Sequence, residues 1–437
     1  MPVIGQSRGS DTVAADIDTT APIVVLRRSF APLQHAVLNV GRSAGRLGIP
    51  VYAVGRGQRE PATCSRYIAE GLQLPADATD EQSIEALLRF AHDHPLAMLL
   101  PIDDPSAIFV NDHQARLAEH FLMPQSPPGV HRVLSSKREL FALCERIGIP
   151  APASEFPTSE AGATESAKAF GYPVVLKRSD AWVPPNDPSA PSVQIVDSES
   201  ALIDLYRRME SPVGPQVMVQ EYIPGGSDAI WMFNGYFADE STCLCAFTGQ
   251  KLRQRGPHTG PTTLGLCVWN ESIAAAVKLL VREVGYEGIV DMGFRYDVRD
   301  GKYKLLDVNP RMGSTFRLFA GTNGLDVVRV AYLHLTGQPV PHTRALDGRK
   351  WVVEPYDLLT SVQIRRERAL TLGDWLRSMR GIEEAAWWAR DDPVPFLAMV
   401  ASLGPLGLRC WERNRRDRLG RPARSRVVEP TRVVAIR

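Results

Sequence analysis

Three residues that suit phosphate chemistry stand two apart in the segment Lys304-Leu-Leu-Asp-Val-Asn-Pro-Arg311. Side chains two apart on a β-strand share one face, so Asp307 and Asn309 would present oxygen atoms side by side. Mg²⁺ takes oxygen ligands and shares its shell with phosphates. Arg311 would hold a phosphoryl or carboxylate oxygen. Taken alone, such a segment more often ends a surface hairpin, so its neighbours must decide between the two interpretations.

The strand before this segment supports a hairpin. The runs 289–296 and 302–309 flank Asp297-Val-Arg-Asp-Gly301, whose Asp-Gly pair is a strong turn signal. Asp291, Gly293 and Arg295 then share one face of the first strand. On the second strand, Asp307 and Asn309 likewise share one face.

Two segments offer cations. Lys177, in Tyr172-Pro-Val-Val-Leu-Lys-Arg178, lies opposite the apolar face of a predicted strand and could meet a phosphate as a point charge. A strand-end lysine that reaches solvent is at least as common. Lys251, Arg253 and Arg255 would align on one face of an extended chain, which suits an anionic ligand, although a solvated basic edge is the default explanation.

A third segment could hold a nucleotide base. The strand that contains Gln220, Glu221, Tyr222 and Ile223 is stopped by Pro224-Gly-Gly226. The end of such a strand offers free backbone donors and acceptors to an adenine edge, and Asp228 is near enough to accept from a ribose hydroxyl. Alone, this segment is only a strand and a turn.

The order of these elements resembles the ATP-grasp superfamily. Residues 22–340 are similar to its carboxylate-amine ligase branch, which includes D-aspartate ligase-like enzymes and, more distantly, carbamoyl phosphate synthetase, biotin carboxylase and D-alanine ligase. The resemblance implies a ligase that uses ATP and Mg²⁺, or Mn²⁺ in its place, to activate a carboxylate as an acyl phosphate and join it to an amine. Its implied small-molecule partners are that carboxylate and that amine.

The resemblance also implies roles for individual residues. Lys137 and Lys177 would contact the ATP phosphates, Gln220 to Ile223 the adenine, and Asp228 the ribose. Asp307 and Asn309 would bind the metal, while Arg311, Lys251 and Arg253 would act in catalysis. Arg253, Arg255 and Arg317 are the candidates for gripping a substrate carboxylate.

Two features depart from the family pattern. Relatives usually carry Glu, Gln or Asp where this chain has Gly293, so Asp291 would have to replace that ligand. Relatives also cover the phosphates with a small Gly-rich loop, whereas residues 179–188 here contain Trp182 and three prolines, which favours a longer and stiffer loop.

Apolar runs at 23–26, 51–54 and 97–100, alternating with helical spacing, predict an α/β region with a parallel sheet at 21–134. The rest of the predicted ATP-grasp architecture is α+β: two lobes that enclose the nucleotide at 135–345, then a helical C-terminal extension at 346–437. Residues 1–20 are predicted to be a disordered leader. In the extension, Leu372, Trp375, Leu376 and Met379 form a helical stripe that is more typical of core than of an interface.

Composition narrows the class. A net charge of +1 over 437 residues argues against nucleic-acid binding through bulk charge. The six cysteines show no CxxC spacing, which indicates reduced thiols and a cytoplasmic location. No run is long enough to span a bilayer. Eight arginines between residues 409 and 426 leave peripheral contact with a membrane as a weaker hypothesis, and a homodimer is left open.

Two alternatives remain. Gly293 motivates a catalytically weak or inactive nucleotide-binding protein with the same fold. A dinucleotide-dependent oxidoreductase is a remote alternative, because Gly41-Arg-Ser-Ala-Gly45 is not the Gly-x-Gly-x-x-Gly fingerprint.

Overall fold

The computed structural model describes residues 17–29, 33–56, 60–180, 182–256, 259–366 and 370–403. The predicted leader (apart from residues 17–20) and the arginine-rich stretch 409–426 lie outside these residues. No described helix combines the length and the hydrophobicity that a membrane crossing requires. The five cysteines of the described chain carry free thiols, as predicted.

The N-terminal region contains a four-stranded parallel sheet in the order β3-β2-β1-β4. All five residues of β1 are buried, as expected for a parallel strand covered on both faces. Thr79 and Gln82 form a capping box that fixes the start of α2. The elements are β1 (Ile23–Arg27), α1 (Ala36–Gly45), β2 (Val51–Arg56), β3 (Ala69–Leu74), α2 (Asp80–Asp93), β4 (Met98–Pro101), α3 (Asp104–Asp112), α4 (Gln114–Leu117) and α5 (Val130–Ser135).

A smaller antiparallel sheet follows, in the order β5-β8-β6-β7. Val174, Leu176 and Val219 pack on one side against the helices that cover this sheet. That packing leaves Val175 and Lys177 on the other face of β6. The elements are α6 (Lys137–Ile147), β5 (Ser154–Glu155), α7 (Glu160–Phe170), β6 (Val174–Arg178), β7 (Val193–Val196), α8 (Glu199–Met209) and β8 (Val217–Glu221).

The largest sheet has seven strands in the order β13-β12-β9-β10-β11-β14-β15. The hairpin predicted at 289–309 is confirmed as β12 and β13. One core packs α6 and α9 against this sheet, and a second packs its other face against α10 and the N-terminal region. The elements are β9 (Ile230–Ala238), β10 (Thr242–Gln254), β11 (Thr262–Cys267), α9 (Glu271–Val284), β12 (Gly288–Asp297), β13 (Lys302–Asn309) and α10 (Val327–Leu335).

The C-terminal extension was predicted to be helical, but it also contains two strands. Besides α11 (Glu354–Arg366), α12 (Leu372–Ser378) and a helical stretch at 394–403, it contributes β14 (Lys350–Val352) and β15 (Ile382–Ala385) to the large sheet. Leu372 and Leu376 are about half exposed, at 48% and 55%, so the predicted apolar stripe is not core. The buried Arg42 of α1 holds the extension by donating to Asp392 Oδ2 at 3.0 Å and to the Trp387 carbonyl at 2.8 Å.

Candidate nucleotide and metal site

A cleft of about 440 Å³ lies where the small sheet faces the large one. Strands β6 and β8 form one wall, while β10, β12 and β13 form the other. The predicted residues that line the cleft are Lys137, Lys177, Gln220, Glu221, Tyr222, Ile223, Lys251, Asp291, Asp307 and Asn309. Residues drawn from six separate stretches of sequence therefore meet in one cavity.

The acidic face of this cleft is the β12–β13 hairpin. Asp291 pairs in register with Asn309, and Gly293 pairs with Asp307. The predicted common face of Asp291, Gly293 and Arg295 is confirmed, because all three line the cleft. The Asn309 amide nitrogen lies 3.4 Å from Asp291 Oδ2 and 3.5 Å from Asp307 Oδ2, so two carboxylates flank one carboxamide.

Three lysines face these carboxylates. Lys137 begins α6, Lys177 comes from β6, and Lys251 comes from β10. Burial, reinforced by Lys137, lowers the pKa of Lys177 to about 7. Burial also lowers the pKa of Lys251, although Asp307 and Asp291 oppose that shift. Three lysines around one cleft suit a polyphosphate, which carries several negative charges.

The two carboxylates differ in their protonation. Burial would raise the pKa of Asp307, but Lys137, Lys177 and Lys251 together bring it below its ordinary value. Burial raises the pKa of Asp291 to about 6, even though Arg311 opposes the shift. Asp307 is therefore charged at neutral pH, while Asp291 titrates close to it.

The donor set fits a hard divalent cation. The described residues contain no cluster of three or more His, Cys, Asp or Glu side chains that could hold a metal by themselves. Two carboxylates nevertheless match the preference of Mg²⁺ for a few protein oxygens beside phosphates. The Asn309 oxygen accepts from Arg311 Nη2 in this structure, so the carboxamide would have to turn to become a third ligand. Asn234 of β9 is fully buried and pairs in register with Asp291 of β12. Neither polar atom of its side chain has a hydrogen-bond partner among the described residues. An unsatisfied amide beside Asp291 is what a site built for a further polar group would contain.

The base-binding strand behaves only partly as predicted. The Gln220 side chain donates to Ser154 Oγ at 2.8 Å, and Glu221 pairs with Lys304 and Arg299, so both side chains are already engaged. Apolar cleft residues nearby include Val175, Ile195, Ile223, Met292 and Leu306. These residues can sandwich a flat ring. The Glu221 N–H already donates to the Ala153 carbonyl, and the Ile223 carbonyl accepts from Arg295 Nε, so a polar edge for the ring would have to come from the other backbone groups of 220–223.

Asp228 is not among the residues that line the cleft, and its contact with a ribose stays a prediction. The side chain is exposed, and its carboxylate lies over Gly226, so that a Cβ added there would be 2.6 Å from Asp228 Oδ1. The Pro-Gly-Gly turn carries the residue past the end of the strand. Asp228 nevertheless stays close enough to the cleft for its charge to act on Arg295, which lines the cleft.

Arg311 is fixed from several sides. Its Nε donates to Asp104 Oδ1 at 2.7 Å, its Nη1 to the Met312 carbonyl at 3.1 Å, and its Nη2 to Asn309 Oδ1 at 3.0 Å. Asp104 also lines the cleft and begins α3 at the carboxyl end of β4. The sequence did not single it out, although an acidic pair at that end of a parallel strand is a usable signal.

Comparison with known proteins identifies the architecture. No protein-family model matches the chain. It is 27% identical over 278 residues to the D-aspartate ligase of Enterococcus faecium (strain Aus0004), covering 59% of this chain and 64% of that enzyme. The chain thus spans less than two thirds of this relative's length. The chain is similar to proteins of the ATP-grasp superfamily and has their fold.

Solved structures agree with this assignment of the fold. The L-amino acid ligase of Bacillus licheniformis superimposes with a TM-score of 0.54 at 15% identity, covering 76% of both chains. N5-carboxyaminoimidazole synthetase from Staphylococcus aureus, complexed with ADP, gives a TM-score of 0.55 at 11% identity, covering 76% of this chain and 81% of that one. At these identities the likeness establishes the ATP-grasp fold.

The basic strand of this ATP-grasp chain corrects one prediction. A register shift between Lys251 and Arg253 makes Leu252 an extra residue in β10, so the three cations do not share a face. Lys251 lines the cleft and donates to the Gly260 carbonyl at 3.0 Å. Arg253 instead forms a buried bidentate pair with Asp357, at 2.8 and 2.9 Å, outside the cleft.

Arg317 also lies outside the cleft. It is buried and donates to both Glu384 oxygens, at 2.9 and 2.7 Å, and it pairs with Asp326. Its donors therefore tie the C-terminal extension to the core. Arg255 is exposed, and its guanidinium lies 4.5 Å from the centre of the Tyr356 ring. No ion pair of Arg255 is found within the described part of the chain.

The loop after β6, which was expected to cover the phosphates of a nucleotide, packs away from the cleft. The Asp187 backbone nitrogen donates to the Arg208 carbonyl at 3.1 Å, and the Asp187 carboxylate accepts from Arg208 Nε at 2.9 Å. Residues 182–188 therefore pack on α8 and do not line the cleft.

The glycines of the remote oxidoreductase alternative serve helix packing. Gly41 and Gly45 lie inside α1, where added Cβ atoms would come within 2.4 Å of Ile68 and 2.8 Å of Tyr67. They allow close approach of the segment after β2 and do not form a dinucleotide turn.

Proposed function

We propose that this chain is an ATP-dependent ligase that activates a carboxylate as an acyl phosphate and joins it to an amine, releasing ADP and phosphate. One observation carries the proposal. Three lysines meet the Asp307–Asn309 strand in a single cleft, Lys177 from the opposite wall and Lys251 from the same wall. With Lys137 they lie close enough to reverse the effect of burial on the pKa of Asp307. Fixed cations and a charged metal-binding face are the parts that phosphoryl transfer needs.

The chain's own residues supply charge and position. When bound, Mg²⁺ would neutralise phosphate oxygens, and Asp291, Asp307 and Asn309 would hold it. Lys137, Lys177 and Lys251 hold the polyphosphate as point charges. Arg311 lines a separate, smaller cavity, and it donates to Asp104 and to the Asn309 carboxamide. Its remaining N–H bonds would stabilise the transferred phosphoryl group.

Two bond exchanges follow. A carboxylate oxygen attacks the γ-phosphorus, the bond from phosphorus to the bridging oxygen breaks, and ADP leaves. The amine nitrogen then attacks the acyl carbon, the carbon–oxygen bond to phosphate breaks, and the amine gives up a proton. Both steps depend on alignment of bound reactants, which a closed two-walled cleft provides.

The experiment that tests the proposal is a screen for ADP release. Purified protein is incubated with Mg²⁺-ATP and amino acids or small carboxylic acids, with and without an amine pool, and products are identified by mass spectrometry. We expect ADP and an amide to appear together for one carboxylate class. Tight binding of Mg²⁺-ATP by calorimetry, with no ADP from any combination, would instead favour the non-catalytic nucleotide-binding alternative.

Arg255 is the remaining candidate for a substrate carboxylate. Its backbone nitrogen donates to the carbonyl of Pro261, which lines the cleft, so the residue lies at the rim. We expect Arg255→Ala to raise the KM of the carboxylate substrate about 10-fold to 100-fold, the value of a charged hydrogen bond. The KM of ATP should not change.

The matched control for this change is Arg365→Ala, since Arg365 is exposed on the same helix as Tyr356. Steady-state kinetics with each substrate varied in turn decide the result. An Arg255→Ala variant whose carboxylate KM equals that of the Arg365→Ala control would remove Arg255 from the site.

A further inference from the structure

Two glycines stand where the carboxylates of the cleft leave no room for a side chain. A Cβ added at Gly293 would lie 2.4 Å from Asp307 Oδ1. One added at Gly313 would lie 2.4 Å from Asp291 Cγ and 2.5 Å from its Oδ2. Real Cβ atoms do not approach other heavy atoms this closely, so either substitution must displace the carboxylate.

Backbone conformation does not explain these glycines. Neither Gly293 nor Gly313 has a positive φ, so any residue could adopt the backbone at both positions. What each position requires is space above the Cα atom. The requirement is therefore set by the carboxylate that lies over it.

The space allows the two carboxylates to converge. Gly293 and Asp307 are cross-strand neighbours, so the Asp307 side chain leans over the adjacent strand inside the cleft. Asp291 lies against Gly313, in the segment just after Arg311. Between the two carboxylates stands Asn309, within 3.5 Å of an oxygen of each.

We propose that Gly293 and Gly313 are positioning residues that hold Asp307 and Asp291 in the geometry that binds the divalent cation. Gly293 is then a requirement of this site and not a lost ligand. The inference rests on the metal site of the proposed function. If Gly293 were a lost ligand, an oxygen-bearing side chain at residue 293 would strengthen metal binding. The inference has the opposite consequence, because such a side chain displaces Asp307 and weakens metal binding.

The test measures Mn²⁺ binding to the full chain by electron paramagnetic resonance and calorimetry, without substrate. We expect Gly293→Ala, Gly293→Gln and Gly313→Ala each to weaken Mn²⁺ binding about 10-fold to 100-fold, the usual effect of disturbing residues that orient metal ligands. Gly55→Ala is the matched control, because Gly55 lies in β2 and a Cβ there meets nothing described within 4 Å. Its affinity should equal that of the unaltered protein.

A second measurement separates positioning from misfolding. Gly293→Ala should lower the thermal midpoint, and that loss should disappear when Asp307→Ala is also present, since the clash is with the Asp307 carboxylate. Two results would overturn the inference. One is a Gly293→Gln variant that binds Mn²⁺ as tightly as the unaltered protein. The other is a double variant in which the changes in thermal midpoint of the two single variants simply add. Failure of the unaltered protein to bind Mn²⁺ would instead refute the metal site of the proposed function.

Discussion

Asp307→Asn should reduce ADP formation at least about 1,000-fold, because a metal ion contributes several kcal/mol to stabilising the transferred phosphoryl group. The substitution keeps the shape of the side chain and removes its charge. Because that carboxylate also repels phosphate, binding of ATP in the absence of metal should be retained or become tighter. The expected result is therefore a loss of metal-dependent turnover without a loss of nucleotide binding.

The matched control is Asp300→Asn, the same change at an exposed position in the turn of the same hairpin. We expect its turnover to stay close to that of the unaltered protein. Two measurements are needed, a coupled assay of ADP release with Mg²⁺ and calorimetry of ATP with a chelator. Turnover above a tenth of the original in Asp307→Asn would place the metal site elsewhere.

The local sequence pattern was sufficient to predict the acidic face of the hairpin. Strand periodicity and an Asp-Gly turn place Asp291, Asp307 and Asn309 on one surface, and the register of β12 and β13 confirms it. The same reasoning placed Lys177 opposite the buried Val174 and Leu176. In each case the determinant is the alternation of residues within one strand.

The failures have a different physical origin. One extra residue in β10 turned Arg253 away from the cleft, and its partner Asp357 is 104 residues further along the chain. Arg311 is likewise fixed by Asp104, 207 residues earlier. Buried ion pairs between distant segments depend on tertiary packing, which the periodicity of a single strand or helix does not encode.

Gly293 illustrates the limit most clearly. Because glycine has no side chain, Gly293 was interpreted from the sequence as a missing metal ligand. That interpretation motivated the non-catalytic alternative. The structure shows that its missing Cβ makes room for the Asp307 carboxylate, which comes from the neighbouring strand. Whether such a glycine has replaced a metal ligand or makes room for one depends on the side chain that lies over its Cα atom.

Lys177→Met should abolish measurable ATP turnover and also make the unliganded protein more stable. Burial, with Lys137 next, lowers the pKa of Lys177 from 10.5 to about 7. A lysine whose folded pKa lies below its unfolded one costs stability, fully below pH 7 and less as pH rises towards 10.5. The rise in thermal midpoint of Lys177→Met should therefore be largest at pH 6 and should shrink at pH 9, whereas Lys278→Met, on the exposed face of α9, should show no such trend.

The same depressed pKa predicts that ATP binding takes up a proton. Phosphate oxygens beside Lys177 favour its charged form. Above pH 7 this lysine is largely neutral in the free protein, so it takes up a proton from solvent when the nucleotide binds. Affinity should then fall up to about tenfold per pH unit above pH 7. Calorimetry at pH 8 in buffers of different ionisation enthalpy counts the protons. An uptake of zero in the unaltered protein, or the same uptake in Lys177→Met, would show that another group carries the charge that meets the phosphates.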